Sequence, residues 1–230
     1  DELMMAQSRH AAMGEMIGMI AHQWRQPIAG IAMDANNMLL DIALDTFSAS
    51  DAAKYAQEIL DQTSHLSKTI DDFRNFFKPD KSVISVKVEN ILENTLAIVK
   101  ESLTNNNITL NTTYRSESLV DAYPRELMQV FINIINNAKD SLLSNHIKDG
   151  HIDINICDDE EYVNTEICDN GGGIDVTILP KIFDPYFSTK DEKTGTGLGL
   201  YMSKMIIEEH LHGFIEATNN TYGGACFKIR

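Results

Sequence analysis

Basic residues and cysteines are scarce in this sequence. Its 230 residues include 19 Lys and Arg against 34 Asp and Glu, which gives a formal net charge of -15. This excess of acidic groups disfavours binding to the nucleic-acid backbone or to an anionic membrane surface. A phosphate-bearing ligand would therefore need a local site made of backbone amides, a metal ion or a few cations. The cysteines have no CxxC spacing, so we predict small buried apolar residues of a reduced compartment, not metal ligands: Cys157, Cys168 and Cys226.

Long apolar runs are also absent. No stretch reaches the roughly 20 apolar residues of a membrane-spanning helix, and the N-terminus has no signal-peptide pattern. With 43% hydrophobic and 23% charged residues, the composition is typical of a soluble globular protein, and the length suffices for two modest domains. Because the sequence begins at Asp1 within a helical pattern, we expect it to be part of a longer protein.

The N-terminal third has the periodicity of two amphipathic helices. The first is predicted over residues 1–45 and the second from 51 to just before Pro79, with capping residues in the break at 46–50. Two such helices form an antiparallel hairpin, which cannot bury both apolar stripes alone. We therefore predict that two hairpins dimerise into a four-helix bundle; packing on the rest of the same chain is the alternative. The stripes are Met13, Ile17, Ile20, Trp24, Ile28, Ile31, Ala35, Met38 and Ile42, then Ala56, Ile59, Thr63, Leu66, Ile70, Phe73 and Phe77.

One histidine of the first helix lies off its apolar stripe. His22 falls between two stripe members, so the helical turn angle directs it away from the buried face. Pro27 follows five residues later and predicts a bend, because proline cannot donate to the carbonyl of Gln23. Taken alone, an exposed helical histidine is common and does not indicate a function. The motifs in the rest of the chain are needed to interpret this one.

Beyond a polar linker the pattern changes to mixed strands and helices. Their order predicts an α/β sandwich with helices over one face of a mixed sheet. The whole chain is thus α+β, with a helical domain at 1–78, a linker at 79–82 and an α/β domain at 83–230. Strands are predicted at 83–88, 108–114, 151–157, 162–168, 214–217 and 225–229, and helices at 90–104, 124–144 and 198–210.

Three polar residues share one face of the helix predicted at 124–144. Asn133, Asn137 and Asp140 are spaced by four and three residues, while apolar residues fill much of the remaining surface. Buried carboxamides are costly unless they are satisfied, so this face must meet something polar. A carboxamide oxygen can ligate Mg²⁺, which commonly accompanies phosphates. A hydrogen-bonded core network is the alternative.

Two glycine clusters indicate a nucleotide site. Residues 169–174 place a carboxylate beside three glycines, which allows close approach of a flat ligand and a hydrogen bond from an exocyclic amine such as that of adenine. Residues 194–200 lead into a helix whose N-terminal amides suit phosphate, although the pattern is not a P-loop. Between them, residues 182–190 contain aromatics and a proline that would pack a loop, and Lys190 could reach a phosphate.

In this order the four stretches resemble the N, G1, F and G2 boxes of the ATP-binding domain of two-component sensor histidine kinases. Residues 9–27 resemble the H box of their dimerisation and phosphotransfer domain. The resemblance covers almost the whole chain. It implies a cytoplasmic, homodimeric ATP-dependent histidine kinase that phosphorylates itself and passes the phosphoryl group to an aspartate of a response-regulator receiver domain.

The resemblance also assigns roles to individual residues. His22 would be the phosphoacceptor, Asn137 the Mg²⁺ ligand with Asn133 beside it, and Asp169 the residue that reads adenine. Gly171 and Gly173 would shape the adenine pocket, and Gly195, Gly197 and Gly199 the lid over the phosphates. Further nucleotide contacts are implied at Asp140, Ile174, Lys190, Thr194, Thr196, Leu198 and Leu200, and further catalytic positions at Gln23, Arg25 and Gln26.

Two positions depart from the family pattern. An acid usually follows the histidine, where this chain has Gln23, and Thr or Asn often stands where it has Gln26. Autophosphorylation would then use another base or the neutral imidazole, whose ordinary pKa near 6.5 leaves a lone pair at cytoplasmic pH. Phosphatase activity stays open, as do the signal, the attachment of the parent protein to a membrane and the choice between the histidine of the same subunit and that of its partner.

Two other functions compete with the kinase. The ATP-hydrolysing chaperones, DNA-repair proteins and type II topoisomerases share the Asn-Ala-x-Asp of residues 137–140, but usually have a glutamate where this chain has Asn133. A carboxamide cannot take a proton from water at neutral pH, which favours the kinase. A catalytically silent scaffold that binds ATP is the third interpretation, and the intact glycine clusters and the exposed His22 argue against it.

Overall fold

The computed structural model describes residues 24, 25, 27–76, 82–190 and 197–230. The chain divides into two compact units. One consists of Asp1–Pro79 with Thr189–Thr196, and the other of Asp80–Ser188 with Gly197–Arg230. His22, Gln23 and the bend predicted at Pro27, which involves residue 26, lie outside the described residues.

The first unit contains a helical hairpin. Helix α1 is described over residues 27–43, and helix α2 runs over Ala49–Phe76. The two are antiparallel, since the hydroxyl of Tyr55 donates to Oδ2 of Asp41 at 2.9 Å near the connecting loop. This confirms the predicted hairpin.

The loop at 44–48 ends in a cap for α2. The hydroxyl of Ser48 accepts the backbone N–H of Asp51 at 3.2 Å, while the Asp51 carboxylate accepts the backbone N–H of Ser48 at 3.3 Å. These reciprocal bonds satisfy N–H groups that the first helical turn leaves without partners, as in a capping box. The cap therefore fixes where α2 begins.

The single hairpin leaves large apolar side chains exposed. Among its described residues, seven large apolar ones are more than half exposed: Ile28, Met33, Leu39, Leu40, Ile42, Leu44 and Leu60. Isolated exposed apolar residues are ordinary, whereas several on one hairpin are typical of a contact surface. None of the described helices is long and apolar enough to cross a membrane.

The second unit is an α/β sandwich. Its strands are β1 Ile84–Val86, β2 Thr109–Arg115, β3 Val120–Ala122, β4 His151–Asp158, β5 Val163–Asp169, β6 Ile215–Asn219 and β7 Ala225–Ile229, and its helices are α3 Val88–Asn105, α4 Pro124–Ser144 and α5 Gly199–Met205. Five strands form one sheet in the order β2-β4-β5-β7-β6, in which β2 and β4 are parallel and the other neighbours antiparallel, and β1 pairs with β3 in a separate ribbon. The mixed sheet confirms the predicted fold class.

The core lies between one face of this sheet and the helices. Along β4, Ile152, Ile154 and Ile156 are at most 1% exposed, and every second residue between them faces the other side of the sheet. On α4, Phe131 and Ile134 are fully buried. Proline at the first turn of α4 and this apolar stripe explain why the helix forms where it was predicted.

Two short elements were not predicted. Strand β3 pairs with β1, and a 3-10 turn covers Leu179–Lys181. Both are too short to give a periodic sequence signal. The helix predicted at 198–210 is formed: it begins as α5 and continues as a π-helical turn over Ile206–His210. The π turn ends at His210, whose Nδ1 lies 2.6 Å from Oε2 of Glu126 on α4, with both side chains buried.

The prediction that the cysteines are small buried residues of a reduced compartment is wrong. Cys168 of β5 and Cys226 of β7 are joined by a disulfide, and Cys157 is exposed. The two bonded residues are directly paired across the strands, with their Cα atoms 4.0 Å apart, on the half-buried side of the sheet. Strand register decides this pairing, and the sequence pattern does not reveal register between strands 58 residues apart.

Candidate functional site

A buried acid lies at the C-terminal end of β5. Asp169 is 5% exposed, and its Oδ1 accepts the backbone N–H of Gly171 at 2.7 Å and that of Ala225 at 3.2 Å. Within the part of the chain that the structure describes, Oδ2 accepts no hydrogen bond. Burial raises the pKa of this carboxyl, while the two N–H groups act in the opposite direction. One carboxylate oxygen is thus held by the protein, and the other is left for a donor on a ligand.

The glycine loop after Asp169 is fastened to α4. The carbonyl oxygen of Gly171 accepts the hydroxyl of Ser141 at 2.9 Å and the side-chain amide of Asn145 at 2.6 Å. Gly172 and Gly173 have φ angles of +102° and +72°, a region that residues with a Cβ rarely adopt. Ser141 on α4 and Asn145, the residue that caps its C-terminal end, therefore hold a backbone path that only glycines follow easily.

The far end of the same loop is held by β6. The side chain of Asn219 accepts the backbone N–H of Ile174 at 2.7 Å and donates to the carbonyl oxygen of Ile174 at 2.6 Å. A Cβ added to Gly173 would lie 2.9 Å from Oδ1 of Asn219, which is closer than real contacts of this kind. The loop is thus fixed at both ends.

The predicted polar face of α4 is formed. Asn133, Asn137 and Asp140 are half-buried on one uninterrupted helix, so their spacing places them on one side. The amide of Asn133 donates to the carbonyl oxygen of Gly199 at 3.1 Å and lies 3.4 Å from the hydroxyl of Ser203. Asn133 therefore connects α4 to the first turn of α5.

The entry to α5 is fixed by a close backbone contact. Gly197 has a φ of +63°, and an added Cβ would lie 2.4 Å from the carbonyl carbon of Tyr186. The backbone N–H of Tyr186 donates to the carbonyl oxygen of Gly197 at 2.9 Å. Leu198 is fully buried, so the chain that leaves this contact is anchored in the core as α5 begins.

The hydroxyl oxygen of the half-buried Tyr186 is buried beside this contact. Its hydroxyl has no hydrogen-bond partner among the described residues, and burial raises its pKa to about 12. The phenol is therefore neutral at physiological pH.

The donors on α4 suit a hard cation that is also held by phosphates. No group of three or more His, Cys, Asp or Glu side chains in the described residues could hold a metal ion alone. Asn137 offers a carboxamide oxygen on a half-buried face, which is the kind of ligand that Mg²⁺ accepts. Mg²⁺ usually takes one or two protein oxygens and completes its shell with water and substrate phosphates. The residues present therefore fit Mg²⁺ brought with a nucleotide better than a protein-only metal centre.

The structure places the predicted site residues in three groups. The exposed Arg25 belongs to the first unit, and Lys190 lies within Thr189–Thr196, which clusters with that unit. His22, Gln23, Gln26, Thr194, Gly195 and Thr196 lie outside the described residues. The remaining predicted residues belong to the second unit: Asn133, Asn137, Asp140, Asp169, Gly171, Gly173, Ile174, Gly197, Leu198, Gly199 and Leu200.

Five residues that support the site were missed from the sequence. They act through their contacts with Asp169 and the glycine loop, and no motif marks Ser141 or Asn145. Asn219, Asn220 and Gly224 did have a usable signal, since Asn-Asn followed by Gly-Gly before a final strand is typical of a tight turn. The five are Ser141, Asn145, Asn219, Asn220 and Gly224.

Comparison with known families gives two matches in the order of the two units. Residues 12–82 match the His Kinase A (phospho-acceptor) domain. Residues 122–230 match the histidine kinase-, DNA gyrase B-, and HSP90-like ATPase family. Among curated proteins, Sporulation kinase A of Bacillus subtilis is 28% identical over 100% of this chain and 36% of its own length. The chain spans less than half the length of the first curated relatives it matches.

Solved structures of histidine kinases resemble this chain in fold. The nucleotide-free catalytic domain of histidine kinase ThkA has a TM-score of 0.57 and 27% identity, covering 64% of this chain and 93% of that domain. A longer structure of ThkA in complex with the response regulator protein TrrA has a TM-score of 0.69 and covers 97% of this chain and 62% of that one, at 23% identity. Because the second identity is low, that likeness concerns the fold alone. With both family matches in place, the chain belongs to the two-component sensor histidine kinases and contains their phosphoacceptor and ATP-binding domains.

Proposed function

We propose that this chain is a homodimeric kinase core that transfers the γ-phosphoryl group of ATP to His22 and then to an aspartate of a response-regulator receiver domain. The observation that carries the proposal is the environment of Asp169. Its carboxylate is buried, Oδ2 faces no donor among the described residues, and the adjacent glycine loop is held by α4. Such a site suits a flat base that carries an amino group.

In this proposal the adenine amino group donates to Oδ2 of Asp169, while Gly171 and Gly173 allow the ring to approach the backbone. Guanine presents a carbonyl oxygen where adenine has that amine, so a carboxylate there repels it. The phosphates extend toward the start of α5, where Gly197 and Gly199 supply backbone amides. Lys190, Gly195 and their neighbours complete the lid over the phosphates.

The metal ligand we propose is Asn137, with Asn133 beside it. Mg²⁺, when bound, neutralises charge on the phosphates and thereby favours attack on the γ-phosphorus. The amide of Asn133 donates to Gly199, so its role is to join α4 to the phosphate-side segment rather than to accept a proton. The absence of a carboxylate at this position disfavours hydrolysis by water and supports transfer to a histidine.

The phosphoryl step needs a neutral imidazole at His22. A ring nitrogen forms the bond to the γ-phosphorus as the bond from that phosphorus to the β-γ bridging oxygen breaks, and ADP leaves. Since most imidazole is neutral near pH 7, the lone pair is present without an acid at Gln23. In-line positioning of the two groups then accounts for much of the rate.

The partners follow from the first unit and from its relatives. The exposed apolar residues of α1 and α2 support a homodimer in which two hairpins form a four-helix bundle. The match to the phospho-acceptor domain of histidine kinases supports a response-regulator receiver domain as the second partner, because a phosphoryl group held on that histidine needs an acceptor. ATP as the phosphoryl donor supports a cytoplasmic location for this part of the protein.

The test is incubation with γ-labelled ATP and Mg²⁺ beside the His22→Gln variant, followed by acid or alkali treatment. Label that requires His22, is lost in acid and is kept in alkali would support the kinase. Label that persists in His22→Gln would refute His22 as the acceptor. Phosphate release that does not depend on His22 would instead favour an ATPase, and intact ATP binding without any label would favour a scaffold.

A further inference from the structure

The turn between β6 and β7 is closed by one asparagine. The backbone N–H of Asn220 donates to the carbonyl oxygen of Gly224 at 2.8 Å. Its side-chain Oδ1 accepts the N–H groups of Tyr222 at 3.0 Å and Gly224 at 2.9 Å. Because the oxygen is occupied inside the turn, the amide nitrogen of the same side chain is directed out of it.

That amide nitrogen reaches the buried acid of the site. Nδ2 of Asn220 donates to the backbone carbonyl oxygen of Asp169 at 2.7 Å, across 51 residues of sequence. The first residue after the turn, Ala225, donates its N–H to Oδ1 of the same aspartate. The hairpin therefore holds Asp169 at two points, one on its backbone and one on its carboxylate.

The hairpin also packs against Asp169 without an intervening side chain. A Cβ added to Gly224 would lie 1.7 Å from the carbonyl oxygen of Asp169 and 2.7 Å from Cα of Asn170. At the neighbouring Gly223, by contrast, an added Cβ meets nothing within 4 Å. The contact is thus specific to one position of the turn and leaves no room for Asp169 to shift toward it.

We propose that Asn220 is a positioning residue for adenine recognition: it holds the end of β5 so that Oδ2 of Asp169 is directed at the amino group of the base. The inference rests on the proposed function, in which Asp169 reads adenine. With Oδ1 bonded to Gly171 and Ala225, the direction of Oδ2 depends on where the Asp169 backbone lies. Asn220 is the side chain that fixes that backbone from the hairpin.

The test is the variant Asn220→Asp. The new carboxylate keeps an oxygen for the two N–H groups of the turn but has no N–H to donate to Asp169. We expect the affinity for ATP to fall at least tenfold, while the affinity for inorganic tripolyphosphate, which has no base, stays within twofold. In the kinase assay the KM for ATP rises and kcat changes little, since the loss concerns base binding and not the reacting phosphate.

The matched control is Asn106→Asp. The side-chain amide of Asn106 donates to the carbonyl oxygen of Ser102 at 2.7 Å at the end of α3, so this change removes the same kind of bond elsewhere in the unit. We expect it to leave the ratio of ATP to tripolyphosphate affinity unchanged. An Asn220→Asp protein with lowered thermal stability and an unchanged ratio would show a purely structural role and overturn the inference.

A second pair of variants tests the same contact without altering Asn220. Gly224→Ala should reduce the ratio of ATP to tripolyphosphate affinity, whereas Thr221→Ala, an exposed change in the same turn, should not. Asp169→Asn separates the inference from the proposed function. If Asp169→Asn keeps full ATP affinity, the adenine assignment itself fails; if it loses ATP while Asn220→Asp and Gly224→Ala keep it, only the positioning role is refuted.

Discussion

The carbonyl oxygen of Gly171 offers a quantitative test of how the nucleotide loop is held. It accepts two side-chain donors, Ser141 of α4 at 2.9 Å and Asn145 just after the end of that helix at 2.6 Å, and Gly171 itself is buried. Removing one donor by Ser141→Ala or Asn145→Ala leaves the other in place, so each single change costs about 1 kcal/mol, the net value of one hydrogen bond. Removing both leaves a buried carbonyl without a partner, which adds a desolvation penalty of about 1–3 kcal/mol.

The double variant should therefore lose about 3 kcal/mol or more, exceeding the sum of the two single variants by about 1 kcal/mol or more. Urea unfolding of the native protein, the two single variants and the double variant measures this coupling energy. ATP titration of the same four proteins measures how the loss of both donors changes ATP affinity. Because ATP must then order the loop on binding, its affinity in the double variant falls by up to about two powers of ten. Ser144→Ala, an exposed change on the same helix, serves as the control.

Additive losses would refute this reasoning, since they would mean that the Gly171 carbonyl finds another donor or water when both side chains are removed. An unchanged ATP affinity in a clearly destabilised double variant would separate the loop from the nucleotide site. Either result can be read from the same four proteins.

Three further outcomes are expected. Burial raises the pKa of Asp169, so proton uptake favours the folded form, and this carboxyl's contribution to stability is lost as the pH rises through the folded-state pKa. The protonated carboxyl is a poorer hydrogen-bond acceptor for the adenine amino group than the carboxylate. When ATP binding is measured at decreasing pH from 7, the affinity of the native protein should therefore fall as the pH approaches that pKa, and the affinity of Asp169→Asn should not show this fall. The change His210→Ala removes a buried hydrogen-bond partner of Glu126 and should cost about 1–3 kcal/mol in urea unfolding; a loss under about 0.5 kcal/mol would contradict the pairing. Alkylation of the unreduced, denatured protein should label Cys157 alone by mass spectrometry, whereas three labelled thiols would exclude the disulfide.

Local sequence patterns determined much of this protein. Apolar residues every three or four positions gave the two helices of the hairpin and α4, because a helix face repeats within a few residues. The polar face of α4 followed from the same periodicity. The glycine clusters and the acid at Asp169 are also local signals, since the conformations they permit depend on adjacent residues. The family resemblance joined these pieces into a histidine kinase, and the family matches confirm it.

The tertiary structure alone decided what holds the site in place. Strand register paired Cys168 with Cys226 and brought the turn at Asn220 to Asp169, 51 residues away. The pair formed by His210 and Glu126 joins residues 84 apart in sequence. A sequence motif records which residues are neighbours along the chain, whereas these contacts depend on how strands align and helices pack. For this reason Asp169 and the glycine clusters could be identified from the sequence, whereas the contacts that hold them in place could not.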